Sequence, residues 1–125
     1  MRKLSEYKGA EAIILMADMV EPAAIIMGDG ITGKLITEEK GAIKAIKHAL
    51  KHHTEETLQI MAALDGVDID DKRAFKEYKE GVDFLSLPSM LLEVVNDQAL
   101  QDFFISQAQK MEETPSTPAS QTSKD

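Results

Sequence analysis

The chain has no cysteine, so no disulfide framework can support it and its core must hold without staples. Long hydrophobic runs are also missing. The longest, Ala12 to Ala17, stops at Asp18, far short of the roughly 20 residues that a membrane span requires. Met1-Arg-Lys-Leu-Ser-Glu6 is charged from its second residue and runs on into acidic sequence, unlike a secretory signal. Basic residues are in deficit, 14 Lys and Arg against 22 Asp and Glu, for a net charge of −8. The imbalance is local: residues 1–64 sum to −1 and residues 65–109 to −6. Such a surface repels phosphates, which argues against nucleic acid as a partner. These absences together lead us to expect a soluble protein of a reducing cytoplasm.

What is present is a body of strongly periodic apolar segments, residues 1–109, followed by a polar tail, 110–125, in which Thr114 to Ser123 holds two prolines and no large apolar residue. Ordering that tail would cost roughly 1–2 kcal/mol per residue in backbone entropy with almost no burial in return, so it is expected to be disordered. A body of this size buries roughly two-thirds of its unfolded surface, enough for one core.

The apolar spacing within the body predicts helices throughout. Ser5 is placed as the cap of a first helix running to about Val20, with apolar residues around more than half its circumference and therefore central. Pro22 ends that helix or opens the next, Pro22 to Met27, which Gly28-Asp-Gly30 stops. A glycine-rich connection then leads to Thr37, the expected cap of a helix from Glu38 to about His52. Thr54 is placed as the cap of the next, to Leu64, closed by Asp65-Gly66. A shorter amphipathic helix carries Phe75 and Tyr78; Ser86 and Pro88 open another; Asp97 caps the last, with Leu100, Phe103 and Phe104. Only Ala23 to Met27 is compatible with a short strand. The fold class is all-α, a compact bundle of about six helices.

Several patterns invite chemistry, and each has a plainer explanation. Gly28 to Lys34 matches GxxxxGK, but Leu35 stands where the magnesium-binding hydroxyl belongs, which favours a helix-ending loop. His48 and His52 are four apart, yet they point away from the line of Ile43, Ile46 and Leu50, with no third ligand evident; a solvated face accounts for them, and His53 reads as a partly buried cap. Asp65, Asp68, Asp70 and Asp71 concentrate carboxylates, but an EF-hand loop starting at Asp68 would meet Lys72 and Arg73 at positions that need an oxygen ligand and glycine. Glu11 and Asp18 form a polar helix edge with no nucleophile tied to them. No catalytic, cofactor or metal residue is assigned, and the chain reads as a non-enzyme. The surface pattern that carries a binding expectation is the row Lys40, Lys44, Lys47 and Lys51, within about 60° on a helical wheel. Its plain reading is a solvated face; its functional one is a docking strip for an acidic partner or for the acidic half of a second copy.

With the helices placed, the chain resembles the tail assembly chaperones of long-tailed phages and prophages of Gram-positive bacteria. The likeness rests on Lys3-Leu-Ser-Glu-Tyr-Lys-Gly-Ala-Glu-Ala12, on Ala17-Asp-Met-Val-Glu-Pro22, on Ala45-Ile-Lys-His-Ala-Leu-Lys51, on Ile60-Met-Ala-Ala-Leu-Asp-Gly-Val67 and on Leu87-Pro-Ser-Met-Leu-Leu-Glu-Val-Val-Asn-Asp97, with a polar tail to follow. Lys72 to Gly81 looks like an insert relative to that pattern. The resemblance implies a protein of the host cytoplasm that holds the tape measure protein soluble, helps tail tube subunits polymerise around it, and leaves before the virion is complete. It also implies that this chain is the shorter product of a frameshifted pair. The seven methionines suit tolerant apolar contacts, although Met16, Met19, Met61 and Met90 are expected mostly in the core. The alternative is a small phage regulator that binds one host protein.

Overall fold

The computed structural model describes residues 2–113. Among them a 3-10 turn (Leu4–Glu6) precedes seven α-helices: α1 (Ala10–Met27), α2 (Ile31–Thr37), α3 (Ala42–His52), α4 (Thr54–Leu64), α5 (Lys72–Gly81), α6 (Leu87–Val95) and α7 (Gln98–Glu113). No described residue is in a strand, so the all-α expectation holds. Helix α7 continues past Gln109, the expected end of the helical body. Of the tail expected to be disordered, 110–125, residues 110–113 continue α7 and residues 114–125 lie outside the described residues.

The first helix departs from expectation at both ends. Ser5 caps nothing; it sits in the 3-10 turn, and Gly9 at φ 62° opens α1. Pro22 neither ends one helix nor starts another, because it lies buried inside α1, and Ala23 to Met27 are helical. A proline in a helix interior costs about 3 kcal/mol through its missing N–H and its clash with the carbonyl four residues back. Burial on the same face offsets this: Leu15, Met19, Ala23, Ile26 and Met27 are all within the core, at about 1.5–3 kcal/mol for each large side chain.

The glycine-rich connection turns out to be a helix. Asp29 accepts hydrogen bonds at Oδ1 from the amides of Ile31 (2.8 Å) and Thr32 (3.1 Å), which satisfies the start of α2. Thr37, expected to cap the following helix, belongs to the end of α2, where its hydroxyl donates to the carbonyl of Lys34. The chain then reverses through Lys40, at φ 58°, and Gly41 before α3 begins at Ala42. Gly41 is obligatory for a steric reason, since a Cβ there would lie 1.7 Å from the carbonyl oxygen of Leu35.

Downstream the signals read more closely. His53 is both the last residue of the α3 turn and the residue before α4, so Thr54 is helical and donates back to the carbonyl of Leu50. At the far end of α4, Gly66 at φ 85° lets Val67 N–H reach Ala62 C=O (2.9 Å) and Gly66 N–H reach Ala63 C=O (3.0 Å), a Schellman ending. Asp71 caps α5 through Arg73 N–H and Ala74 N–H, and Tyr78 pins α5 to the end of α4 by donating to Asp65 Oδ2 at 2.6 Å. Asp97 caps α7 through Leu100 N–H, as expected. Ser86, by contrast, spends its hydroxyl on the carbonyl of Asp83, whose carboxylate accepts from Ser86 N–H.

The core is built where α1 meets α4 and α7, from Leu15, Met19, Ala23 and Ile26, Ile60, Ala63 and Leu64, and Leu100, with Ala49 of α3 completing it. The antiparallel α2–α3 pair packs on this centre, and α6 bridges α3 and α7. Tyr7 and Asp97 close the structure across long sequence distances: the tyrosine hydroxyl donates to Leu64 C=O at 2.7 Å, and Asp97 Oδ2 accepts from Leu4 N–H at 2.8 Å.

Candidate functional site

Helix α3 turns two different apolar surfaces to its neighbours. Ala45 and Ala49 are buried, and these small residues allow close approach to the core. Ile43, Ile46 and Leu50, which the sequence marks as the apolar line, instead form one wall of an open groove whose other wall is Pro88, Leu91, Leu92 and Val95 of α6. Ile43 is 68% exposed and Leu92 61% exposed. Exposed apolar side chains from two helices thus lie side by side along the groove.

The lysine row borders this groove. Lys47 and Lys51 line it directly, and Lys44, exposed one turn earlier on the same side of α3, extends the row. Lys40 does not belong to the row, because residue 40 is in the α2–α3 turn and not on the helix. The chain entering α6 adds to the apolar surface. Phe84 and Leu85 are 85% and 90% exposed at the tip of the α5–α6 turn, which the Asp83–Ser86 hydrogen bonds hold in place. The Ser86 amide and hydroxyl also keep the Asp83 carboxyl below its ordinary range.

A second apolar stripe lies on α1. Ile13, Met16, Ala17 and Val20 recur at helical spacing and are exposed, so α1 is central, as expected, but its apolar circumference is only partly covered. The helix buries one face and leaves the other bare. Met19 and Met61 are core residues as expected, whereas Met16 is about half exposed.

The polar patterns are placed differently from their sequence order. Glu11 and Asp18 of α1 share a cleft with Asp68 and Asp70, and burial, then Asp70 and Asp68, push the Asp18 carboxyl up. Asp68 and Asp71 otherwise accept local backbone amides. In the GxxxxGK segment, Gly33 and Lys34 are helical and Gly33 is buried, so no open loop is available to cradle phosphates. The histidines form the group that sequence spacing misjudged. His48 and His53 both reach Asp29, whose Oδ2 lies 3.0 Å from His48 Nε2 and 2.5 Å from His53 Nε2, whereas His52 packs its ring on His48 and makes no contact with the carboxylate in this group. Burial alone would raise the Asp29 carboxyl, but hydrogen bonds from His53, the Thr32 and Ile31 amides and His48 outweigh it and hold the group well below the ordinary carboxylate range. Asp29 is remote from both histidines in sequence and reaches them only because α2 folds back on α3, so no local spacing could have revealed it.

Among the described residues no helix is long and apolar enough to cross a membrane. Comparison with protein-family models, with curated proteins and with solved structures finds no match.

Proposed function

We propose that this chain is a non-enzymatic tail assembly chaperone of a long-tailed phage or prophage, working in the host cytoplasm by reversible binding to the tape measure protein. The observation that carries the reading is the α3–α6 groove with its lysine border. An amphipathic client helix laid into it would cover Ile43, Ile46, Leu50, Leu91, Leu92 and Val95 with its apolar face, while its acidic residues met Lys44, Lys47 and Lys51. The bare stripe of α1 and the exposed Phe84 and Leu85 supply further apolar area of the kind a holding protein needs, and the net charge of −8 keeps a loaded complex soluble. The role in tail tube assembly follows from the family resemblance and has no surface assigned to it.

The test is co-expression with the tape measure and tail tube proteins encoded beside the gene, followed by affinity capture and a sedimentation assay for solubility. Capture of the tape measure protein, lost on combined Lys44→Glu and Lys47→Glu substitution while the chain stays folded, supports the reading. Well-folded protein that captures neither client sinks it and moves the chain toward the regulator of a host target.

A further inference from the structure

Asp29, His48 and His53 present one ligand atom each, all within 4.8 Å of one another. Their side chains are 21%, 18% and 16% exposed, shielded but reachable from solvent. Each comes from a different backbone setting. Asp29 commits Oδ1 to the first amides of α2, leaving Oδ2 to face the imidazoles. His48 projects from the body of α3, and His53 leaves the helix at φ −137° and ψ 52°, which swings its ring back toward Asp29. The two histidines are five apart, a spacing that a continuous helix would not bring together, so it is the break between α3 and α4 that makes the pair.

We propose that Asp29, His48 and His53 form a binding site for a divalent transition-metal ion of the zinc class, one that clamps the α1–α2 turn to the α3–α4 junction. The donor chemistry selects the ion. Two imidazole nitrogens and one carboxylate oxygen, with no thiolate in the chain, suit Zn²⁺, Co²⁺ or Ni²⁺ and do not suit Ca²⁺ or Mg²⁺. Ligand bonds of about 2.0–2.2 Å place the donors of a tetrahedral site roughly 3.3 Å apart. Opening the present 2.5 Å and 3.0 Å separations to that value moves the two Asp29–His pairs by less than about 1 Å, and the two imidazole donors, within 4.8 Å of each other, close by at most about 1.5 Å. Water takes the fourth position. His52, exposed and with its ring centroid 4.5 Å from that of His48, covers the histidine without being a ligand.

The competing account is a purely hydrogen-bonded cap in which both rings donate to one carboxylate oxygen. Titrating Zn²⁺ into the chelator-treated full chain separates the two, with calorimetry and thermal melts as readouts and Co²⁺ as a spectroscopic probe. The site predicts one equivalent bound, a Tm rise of about 5 °C or more at saturating Zn²⁺, and the visible absorption of four-coordinate Co²⁺. It further predicts an affinity loss of about ten-fold or more in each of Asp29→Asn, His48→Gln and His53→Gln, with His52→Gln close to the parent. Binding lost in His52→Gln and kept in His53→Gln would overturn the assignment in favour of the i, i+4 pair. Should the site variants not fold, the parent chain decides alone: no Tm shift and no four-coordinate Co²⁺ spectrum leaves only the hydrogen-bonded cap.

Discussion

Asp18 shows how a residue that looks like routine helix polarity can carry a measurable cost. It sits on the partly covered side of α1, in the cleft with Asp68 and Asp70, and burial together with those two charges raises its carboxyl above the ordinary 3.8. A raised acid binds its proton more tightly in the folded than in the unfolded chain. Folding therefore gains from Asp18 at low pH and loses that gain as pH rises through the folded-state value, which leaves a constant cost at neutrality. Asp18→Asn should raise Tm by a few degrees at about pH 7, and the difference should vanish near about pH 3, where the acid is protonated in both states. Thermal melts of both proteins across that range check it. Equal melting at all pH values would mean that the cleft is well enough hydrated to screen the three carboxylates.

Among the elements, the α2–α3 reversal is the one on which both candidate surfaces depend. It brings Asp29 to the histidines and sets the azimuth at which Lys44, Lys47 and Lys51 border the groove. Gly41→Ala should destabilise the fold by about 2–3 kcal/mol or more, because the added methyl meets backbone that cannot rotate away, and chemical denaturation would show it. Much of the element pattern was legible. The Asp65-Gly66 stop of α4, the Asp97 cap of α7 and the partly buried His53 all follow from local backbone chemistry, and the structure places them so. The errors cluster where tertiary packing overrides a local rule. Pro22 is tolerated within α1 because its face is buried, and Ile31 to Thr37 becomes helical despite Gly33 because Asp29 caps it and α3 and α7 cover it. Three of the four lysines were found on the candidate surface because they share a helix. Lys40 fell away when its segment proved to be a turn, and the α6 wall of the groove, like Asp29, belonged to a contact that no helical period encodes.

At the scale of the whole molecule, charge and apolar exposure are distributed in opposite senses to those of a simple soluble bundle. The basic row lies beside apolar surface on α3, while the acidic excess belongs to residues 65–109, so one copy presents both signs needed to meet a charged partner. Long-range hydrogen bonds add to what the core contributes. Asp97 makes one of them, buried and shared between the cap of α7 and the amide of Leu4. Asp97→Ala removes a cap and leaves Leu4 N–H without its acceptor, which should cost about 2–3 kcal/mol and lower Tm by roughly 10 °C. Asp97→Asn, which keeps one acceptor oxygen, should lose less. If both variants melt like the parent, water replaces the carboxylate at both amides.

That same tie spans 93 residues, and this separation has a consequence in time. At a synthesis rate of roughly 5–20 residues per second, the Leu4 amide is made about 5 to 20 seconds before its acceptor. Helix α1 waits through the same interval, because α7, which covers part of its buried face, is made after Asp97. Until α4 is made α1 is bare on both sides, and until α7 follows its buried face stays partly open, with Leu15, Met19 and Ile26 exposed to other chains as Ile13 and Val20 remain afterwards. A protein proposed to shelter the apolar segments of another is thus, while it is being made, a nascent chain in need of the same shelter.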